Sequence, residues 1–325
     1  MAQNDFPDAL IGKTGFVGGI LAAQHDFPAQ FNRANIHQAD GQNFGTVVCA
    51  AAPGSMFAAN RDPEGDAAAI DAVISALSGI KATRVVLIST IAVLAKFDGQ
   101  DSENTTEFQA LTPYGQNRRR LEAFCADHFD TSLILRLPAL YGPGLRKNFI
   151  FDIMNPVPAM LTADRMAQIA DVLPAALRDS MSGLYDNDPN LGLYMVNRPK
   201  IAALPERATL ENALIEAGFS ARAFTNPDST FQYYDMTQLW SDICRAAEAG
   251  IDLLHLAPAP LRAGDVHAHL TGQTMAPNNA NVHHEDMHSL HGGLWEQTGP
   301  YIAAPDQVLA GLGAFYAAER GQETL

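Results

Sequence analysis

Three glycines, Gly12, Gly15 and Gly18, are spaced three residues apart directly after the apolar run Ala9-Leu10-Ile11. Apolar residues recur at helical spacing after them, so the sequence predicts a buried strand, a turn and a helix. Such a turn lets the backbone approach a phosphate and points the positive end of the helix at it. We therefore expect the pyrophosphate of a dinucleotide to bind here. The alternative is that the glycines serve only the packing of strand and helix.

Other polar side chains are predicted to lie at the ends of strands or at the start of a helix. Thr90 ends the clearest strand of the sequence, 84–90. Tyr114 and Arg118 are four residues apart near the start of a predicted helix, so they share one of its faces. In open α/β sheets, ligands bind outside the carboxyl ends of the strands. We expect Thr90 and the turn that follows Leu137 to lie at that edge.

The elements that would position these residues alternate between strand and helix. This alternation predicts a Rossmann-type α/β fold with a doubly wound parallel sheet and a smaller, mostly helical lobe. The predicted strands are 30–33, 46–49, 84–90, 132–137, 231–235 and 252–256. The predicted helices are 16–24, 62–78, 113–129, 160–181, 208–217, 237–249 and 305–320. We divide the chain into a Rossmann domain (1–150), a helical substrate lobe (151–230) and a mixed C-terminal part (231–325) that returns to the sheet.

The composition limits the partners of the protein. Its 325 residues carry a net charge of −15, which disfavours nucleic acid and anionic membranes. The three cysteines form no C-x-x-C pair, which is typical of a reducing compartment and predicts a cytoplasmic location. No signal peptide is recognisable, and no apolar stretch approaches the length of about 18 residues that a membrane span requires.

The chain resembles the extended short-chain dehydrogenase/reductase family, the NAD(P)-dependent sugar epimerases and dehydratases. The resemblance covers roughly residues 8–150, and more loosely 231–315. It is carried by the motifs Gly12-x-x-Gly15-Phe16-Val17-Gly18, Ser89-Thr90, Tyr114-x-x-x-Arg118 and Arg136-x-Pro138-x-x-Tyr141-Gly142-Pro143-Gly144. It implies an oxidoreductase or epimerase that transfers a hydride between NAD(P) and a carbinol or ketone of a sugar.

The resemblance also assigns catalytic roles. Tyr114 would be the general acid/base that moves the hydroxyl proton, and Thr90 would hydrogen-bond the same oxygen. A tyrosine with a pKa near 10 needs a nearby cation for this work. The family uses a lysine, whereas this chain has Arg118, which supplies charge but cannot relay a proton. This departure leaves open a second interpretation, an NAD(P)-binding regulator or scaffold without turnover.

The predicted cofactor is NADP, with NAD as the other possibility. Asn32 and Arg33 stand where NAD-preferring proteins carry an acidic residue, and Arg33 there could pair with a 2′-phosphate. A solvated arginine is the alternative, and Lys13 within the turn favours NADP. The predicted cofactor contacts are Gly12, Lys13, Thr14, Gly15, Phe16, Val17, Gly18, Asn32, Arg33, Ala50, Ala51, Ala52, Ser89, Tyr114, Arg118 and Pro138.

The reaction type is narrowed by the residues after Thr90. The family's dehydratases carry Asp-Glu there, whereas this chain has Ile91-Ala92, so dehydration is disfavoured and epimerisation, reduction or oxidation remain. The predicted substrate contacts are Thr90, Tyr141, Arg146, Lys147 and Asn148. The last three would bind the diphosphate of a nucleotide sugar or form a solvated basic loop.

Two further features concern partners. The histidine-rich stretch 283–291 matches no zinc-site spacing, so we predict a surface loop and no metal. The family resemblance implies a homodimer, in which the predicted helices 62–78 and 113–129 pair across a two-fold axis.

Overall fold

The computed structural model describes residues 6–322, which form two compact units. The first unit comprises the chain up to Leu145 together with Thr230–Leu261 and His284–Glu319. The second comprises Arg146–Ser229, Arg262–His283 and the end of the chain. Among the described residues, no helix is both long enough and apolar enough to cross a membrane.

Strands and helices alternate along most of the chain. The strands are β1 (Ala9–Ile11), β2 (Ala29–Phe31), β3 (Asn43–Cys49), β4 (Lys81–Thr90), β5 (Ser132–Leu137), β6 (Ala139–Tyr141), β7 (Met160–Leu161), β8 (Tyr185–Asp188), β9 (Leu193–Val196), β10 (Thr230–Phe231), β11 (Tyr233–Asp235), β12 (Leu253–His255) and β13 (Leu261–Arg262). The helices are α1 (Phe16–Gln24), α2 (Met56–Arg61), α3 (Pro63–Ser78), α4 (Pro113–His128), α5 (Phe149–Met154), α6 (Ala163–Val172), α7 (Ala175–Gly183), α8 (Arg198–Ala202), α9 (Arg207–Glu216), α10 (Leu239–Glu248), α11 (Ala263–Thr271) and α12 (Pro305–Gln322).

The first unit is built on a six-stranded sheet in the order β12-β5-β4-β3-β1-β2, and every pairing is parallel. The chain therefore runs outward in one direction from β1 to β2 and in the other from β3 to β12. The strand order reverses between β1 and β3, and ligands bind at such a reversal in this class of sheet. The prediction of a doubly wound Rossmann-type fold is confirmed.

Successive side chains of each central strand enter opposite cores, as the two-residue period of a strand requires. On one face, Val47 and Val85 pack with Ile70 of α3 and Leu121 of α4. On the other face, residues of the same strands such as Val48 pack with residues of α1 and α10. Because both faces are covered, the strands are continuous apolar runs, which is why they could be recognised in the sequence.

The second unit has its own apolar core, to which β7–β9 and the helices between them contribute. Strand β9 pairs with β7 and β8, both antiparallel. The prediction of one helix over 160–181 is wrong in this region. Residues Met160–Leu161 form a strand, and the helix is interrupted before Pro174, which precedes α7 and has no N–H to continue α6.

The predicted strand over 231–235 is also divided. Gln232 lies between β10 and β11, and its buried side chain donates to the carbonyls of Pro258 and Met287, at 2.7 and 2.8 Å. Its amide oxygen accepts the Met287 N–H at 2.7 Å. This buried glutamine ties the strand to the C-terminal segment of the first unit.

Candidate active site

The glycine turn links β1 to α1, as predicted. Gly12 has φ +95°, and a Cβ there would lie 2.4 Å from the Ala50 carbonyl oxygen after β3. A Cβ at Gly18 would lie 2.2 Å from the Gly12 carbonyl oxygen. Backbone conformation and close packing therefore explain two of the three glycines.

Gly15 is different, because neither packing nor backbone strain requires a glycine at this position. Its φ of −78° suits any residue, and a Cβ would meet only the Gly12 carbonyl oxygen, at an ordinary 3.4 Å. Gly15 is also the exposed N-cap of α1, with no side-chain cap and no acidic residue in the first turn. The open space beside it and the uncapped helix suit an anion such as a phosphate.

The turn lies beside the end of β2, because Phe31 accepts hydrogen bonds from the N–H groups of Gly12 (2.8 Å) and Lys13 (3.3 Å). Asn32 and Arg33 follow directly, and Arg33 is exposed. Lys13 and Arg33 are thus brought to the same corner of the sheet. The loop with Ala50, Ala51 and Ala52 follows β3, and the Ala50 N–H donates to Ile11 at 2.8 Å.

Tyr114 and Thr90 meet although they are 24 positions apart. Thr90 ends β4, Tyr114 lies in the first turn of α4, and their side chains are close enough for the Thr90 hydroxyl to lower the pKa of Tyr114. Gly115 permits this approach, because a Cβ there would lie 2.2 Å from the Ala92 carbonyl oxygen. The Thr90 hydroxyl also accepts the Ala92 N–H at 3.2 Å. Two hydroxyls therefore converge at the carboxyl edge of the sheet, where one substrate oxygen could contact both.

Arg118 lies one helical turn after Tyr114, with its guanidinium carbon 3.9 Å from the centre of the tyrosine ring. The arginine is only 2% exposed, and its Nη2 donates to the Pro53 carbonyl at 2.5 Å. Its Nε is buried without a hydrogen-bond partner among the described residues. This Nε is a donor that a cofactor ribose could satisfy, so the residues present fit a nicotinamide dinucleotide.

Burial raises the pKa of Tyr114 above its ordinary value of 10. The charge of Arg118 and the hydrogen bond with Thr90 lower that pKa, and the carboxylate of Asp66 raises it. The net effect is upward, so the site holds a protonated phenol near neutral pH.

A buried ion pair fixes α4 to the strand ends beside the site. Arg136 donates to Glu122 through Nε (3.0 Å) and Nη2 (2.7 Å), and the Ser89 hydroxyl donates to the same carboxylate at 2.5 Å. The side chains of Arg136 and Glu122 are 1% and 0% exposed. The Ser89 hydroxyl, predicted to contact the cofactor, is thus occupied within the fold.

His255 extends this network toward the C-terminal segment. Arg136 can only donate, so the Nε2 of His255 accepts from it at 3.1 Å, and Nδ1–H donates to the His288 carbonyl at 2.8 Å. Burial, together with the charge of Arg136, lowers the pKa of His255, which keeps the ring neutral. Glu103 accepts the His255 N–H and the Ser289 hydroxyl, each at 2.8 Å. No sequence motif indicated this network, because residues that are hydrogen-bonded to each other in it are up to 186 positions apart.

The predicted substrate residues lie in different surroundings. Tyr141 is 3% exposed and hydrogen-bonded to Asp235. Burial raises the pKa of Tyr141 most, and the negative charge of Asp235 raises it further. Arg146 and Lys147 are exposed in the second unit, whereas Asn148 caps α5 by accepting the N–H groups of Ile150 and Phe151. Pro138 separates β5 from β6.

The histidine-rich stretch is less exposed than a surface loop would be. Glu285, Met287 and Ser289 are buried, and the Tyr301 hydroxyl donates to Asp286 at 2.6 Å. Within residues 6–322, no group of three or more His, Cys, Asp or Glu side chains is arranged to hold a metal ion.

Comparison with known proteins agrees with this geometry. Residues 30–163 match the model of the NAD dependent epimerase/dehydratase family. The family resemblance is confirmed. The matched range contains Thr90, Tyr114 and Arg118, whereas the glycine turn precedes it. No curated protein sequence matches the chain.

Solved structures share the fold at low sequence identity. UDP-N-acetylglucosamine 4-epimerase from Methanobrevibacter ruminantium, in complex with UDP-N-acetylmuramic acid, is 12% identical with a TM-score of 0.62, covering 98% of this chain and 100% of that one. dTDP-4-dehydrorhamnose reductase from Bacillus anthracis, in complex with NADP, is 12% identical with a TM-score of 0.59 and the same coverage. UDP-glucuronic acid 4-epimerase from Bacillus cereus, with a fluorinated UDP-sugar and NAD, is 15% identical with a TM-score of 0.58, covering 95% and 98%.

Proposed function

We propose that this protein is an NAD(P)-dependent oxidoreductase or epimerase that acts on a carbinol or ketone of a sugar, with a nucleotide sugar as substrate. The observation that carries the proposal is the approach of the Tyr114 and Thr90 side chains at the carboxyl edge of the sheet. A bound nicotinamide would supply or accept the hydride. Tyr114 would transfer the proton at its hydroxyl, and Thr90 would orient the substrate oxygen.

The residues that would hold the cofactor belong to the loops after β1, β2 and β3 and to helix α4. The glycine turn from Gly12 to Gly18 would bind the pyrophosphate, and Ala50–Ala52 would leave room for the dinucleotide against the sheet. Arg118 would reach the nicotinamide ribose through Nε. We propose NADP over NAD, because Lys13 and Arg33 bring two cations to the corner after β2.

Turnover distinguishes the enzyme from a regulator of the same fold. Purified protein is incubated with each cofactor, oxidised or reduced, and a panel of nucleotide sugars, and the absorbance of the reduced nicotinamide is followed. Because an epimerase regenerates its cofactor, sugar products are also separated by chromatography. A change in either readout supports the enzyme. Cofactor binding without turnover on any sugar would favour the regulator. That alternative is considered because this chain has Arg118 where the family has a lysine.

The proposed assembly is a homodimer in the cytoplasm. The exposed sides of α3 and α4 offer small residues such as Ala68 and Ala72, beside the ion pair of Arg120 with Asp71 at 3.0 Å. An isologous contact would pair these helices with their copies. Light scattering should give the mass of two chains, and Ala72→Arg should reduce it to the mass of one chain; a monomer in the wild type would contradict the assembly.

The sparse cysteines, which are free thiols among the described residues, support the proposed cytoplasmic location.

A further inference from the structure

The cation that follows Tyr114 has its charge already paired. Arg118 Nη1 lies 2.5 Å from Oδ2 of Asp66 in α3, and both side chains are 3% exposed. The same Oδ2 accepts a hydrogen bond from Asn117 at 2.8 Å. Because the pair is buried, it is little screened by solvent, and the carboxylate offsets part of the field of the guanidinium at Tyr114.

The pairing determines what Tyr114 experiences. Arg118 is held against the face of the tyrosine ring, and its position is fixed by Asp66 on one side and the Pro53 carbonyl on the other. A lone cation there would stabilise the phenolate. A cation matched by a carboxylate stabilises it much less, and burial also disfavours the charged phenolate.

We propose that Asp66 is a positioning residue that offsets part of the charge of Arg118, so that Tyr114 holds its proton more firmly than it would beside an unpaired arginine. The inference rests on the proposed function and concerns the proton that Tyr114 exchanges with the substrate oxygen. In ketone reduction, the O–H bond of Tyr114 breaks as an O–H bond forms on the substrate oxygen. A bound, reduced nicotinamide would supply the hydride with its electron pair, and water would then reprotonate the phenolate.

A phenol with a raised pKa is still acidic enough for ketone reduction. An alkoxide is far more basic than a phenolate, so a tyrosine with a raised pKa can still protonate it. Alcohol oxidation instead requires the phenolate at the start, and near pH 7 a tyrosine with a pKa of 10 or more is ionised in about one molecule per thousand or fewer. The groups that face Tyr114 are Arg118 of α4, Asp66 of α3, the Thr90 hydroxyl after β4 and Asn60 of α2, whose Oδ1 accepts the Tyr114 N–H at 3.2 Å.

The test is a titration of Tyr114 in the protein without cofactor. Tyrosinate absorbance is measured against pH, and the signal of each protein is corrected by its Tyr114→Phe counterpart. In Asp66→Asn, the midpoint should fall by about one pH unit or more, a tenfold gain in phenolate. The control Glu64→Gln, in the exposed first turn of the same helix, should leave the midpoint unchanged. Equal midpoints in the wild type and Asp66→Asn would overturn the proposal.

A second variant covers the case in which Asp66→Asn does not fold, because that change leaves the buried Arg118 unpaired. Asp66→Asn combined with Arg118→Met removes both charges. If the two charges offset each other, the midpoint in the double variant should stay near the wild-type value. A rise of one unit or more would mean that Arg118 acts as an unmatched cation, which contradicts the proposal.

Kinetics provides the functional readout. The rise of the turnover number for alcohol oxidation with pH should move about one unit toward lower pH in Asp66→Asn, in step with the titration of Tyr114. An unchanged pH profile would contradict the proposed role of Asp66. The titration needs neither cofactor nor substrate, so its outcome is independent of the proposed function. Failure of turnover in every variant, with the shifted midpoint observed, would refute the enzyme and leave the role of Asp66 standing.

Discussion

Replacing Tyr114 by phenylalanine is expected to lower the turnover number by about 10²- to 10⁴-fold, the usual contribution of a general acid or base. The change removes one hydroxyl and leaves the ring under Arg118. Substrate affinity should therefore change little. The fold should lose the interactions of this hydroxyl with Thr90 and Arg118, about 1 kcal/mol of unfolding free energy. Steady-state kinetics and denaturant unfolding measure the two effects separately.

The matched control is Tyr234→Phe. Tyr234 is also buried in the first unit, and its hydroxyl donates to Asp242 at 2.7 Å. This variant should be destabilised at least as much as Tyr114→Phe and retain its turnover number. If Tyr114→Phe keeps wild-type turnover, Tyr114 is not the acid/base, and the mechanism proposed for the site is refuted.

Replacing Glu122 by glutamine is expected to cost about 3–5 kcal/mol of unfolding free energy. The amide keeps the size of the carboxylate but not its charge, so Arg136 is left buried with an unbalanced charge. The two nitrogens of Arg136 that now donate to the carboxylate would also have only one amide oxygen to share. Urea unfolding followed by circular dichroism provides the measurement.

An exposed pair on the neighbouring helix serves as the control for that stability effect. Asp71 contacts Arg120 at 3.0 Å, and their side chains are 61% and 45% exposed. Asp71→Asn should cost less than about 1 kcal/mol because water screens the pair. If Glu122→Gln costs no more than Asp71→Asn, the buried network does not anchor α4, and the position of Tyr114 must be maintained by other contacts.

The Rossmann fold could be predicted because strands and helices are each marked locally in the sequence. The buried parallel strands are apolar runs, and α3 and α4 each begin at a proline. The position of Thr90 at the sheet edge was predictable as well, because the carboxyl ends of parallel strands share one edge. That Tyr114 lies beside Thr90 was implied only by the family resemblance, since Tyr114 begins a helix.

The charges around the site were not predictable from spacing. Asp66 lies in the first turn of α3, and acidic residues are common at that position because they interact favourably with the helix dipole. Its ion pair with Arg118 forms only because α3 packs on α4. One signal was available in the sequence. Arg118 shares a helix face with Leu121 and Cys125, which predicts that it is buried. A buried arginine needs an acidic partner.

The second unit was predicted least well, for reasons that its sequence explains. Strand β8 consists of Tyr185 followed by Asp, Asn and Asp, residues that are rare in strands. Its strands are also short, at two to four residues, so no alternating pattern develops. The three-stranded sheet was therefore missed, and the helical content was overestimated.

Calorimetric titration with NADP and NAD measures whether the glycine turn and the Tyr114 site together bind a nicotinamide dinucleotide. The wild type should bind NADP, and more tightly than NAD. Gly15→Ala should weaken NADP binding by about tenfold, or 1.4 kcal/mol, without loss of stability, because the added methyl enters the space beside the turn, where it meets only the Gly12 carbonyl oxygen at 3.4 Å. Gly183→Ala, where a Cβ meets nothing within 4 Å, should bind as the wild type does. Absence of binding of either dinucleotide to the wild type, or equal affinities in Gly15→Ala and Gly183→Ala, would contradict a cofactor site at the glycine turn.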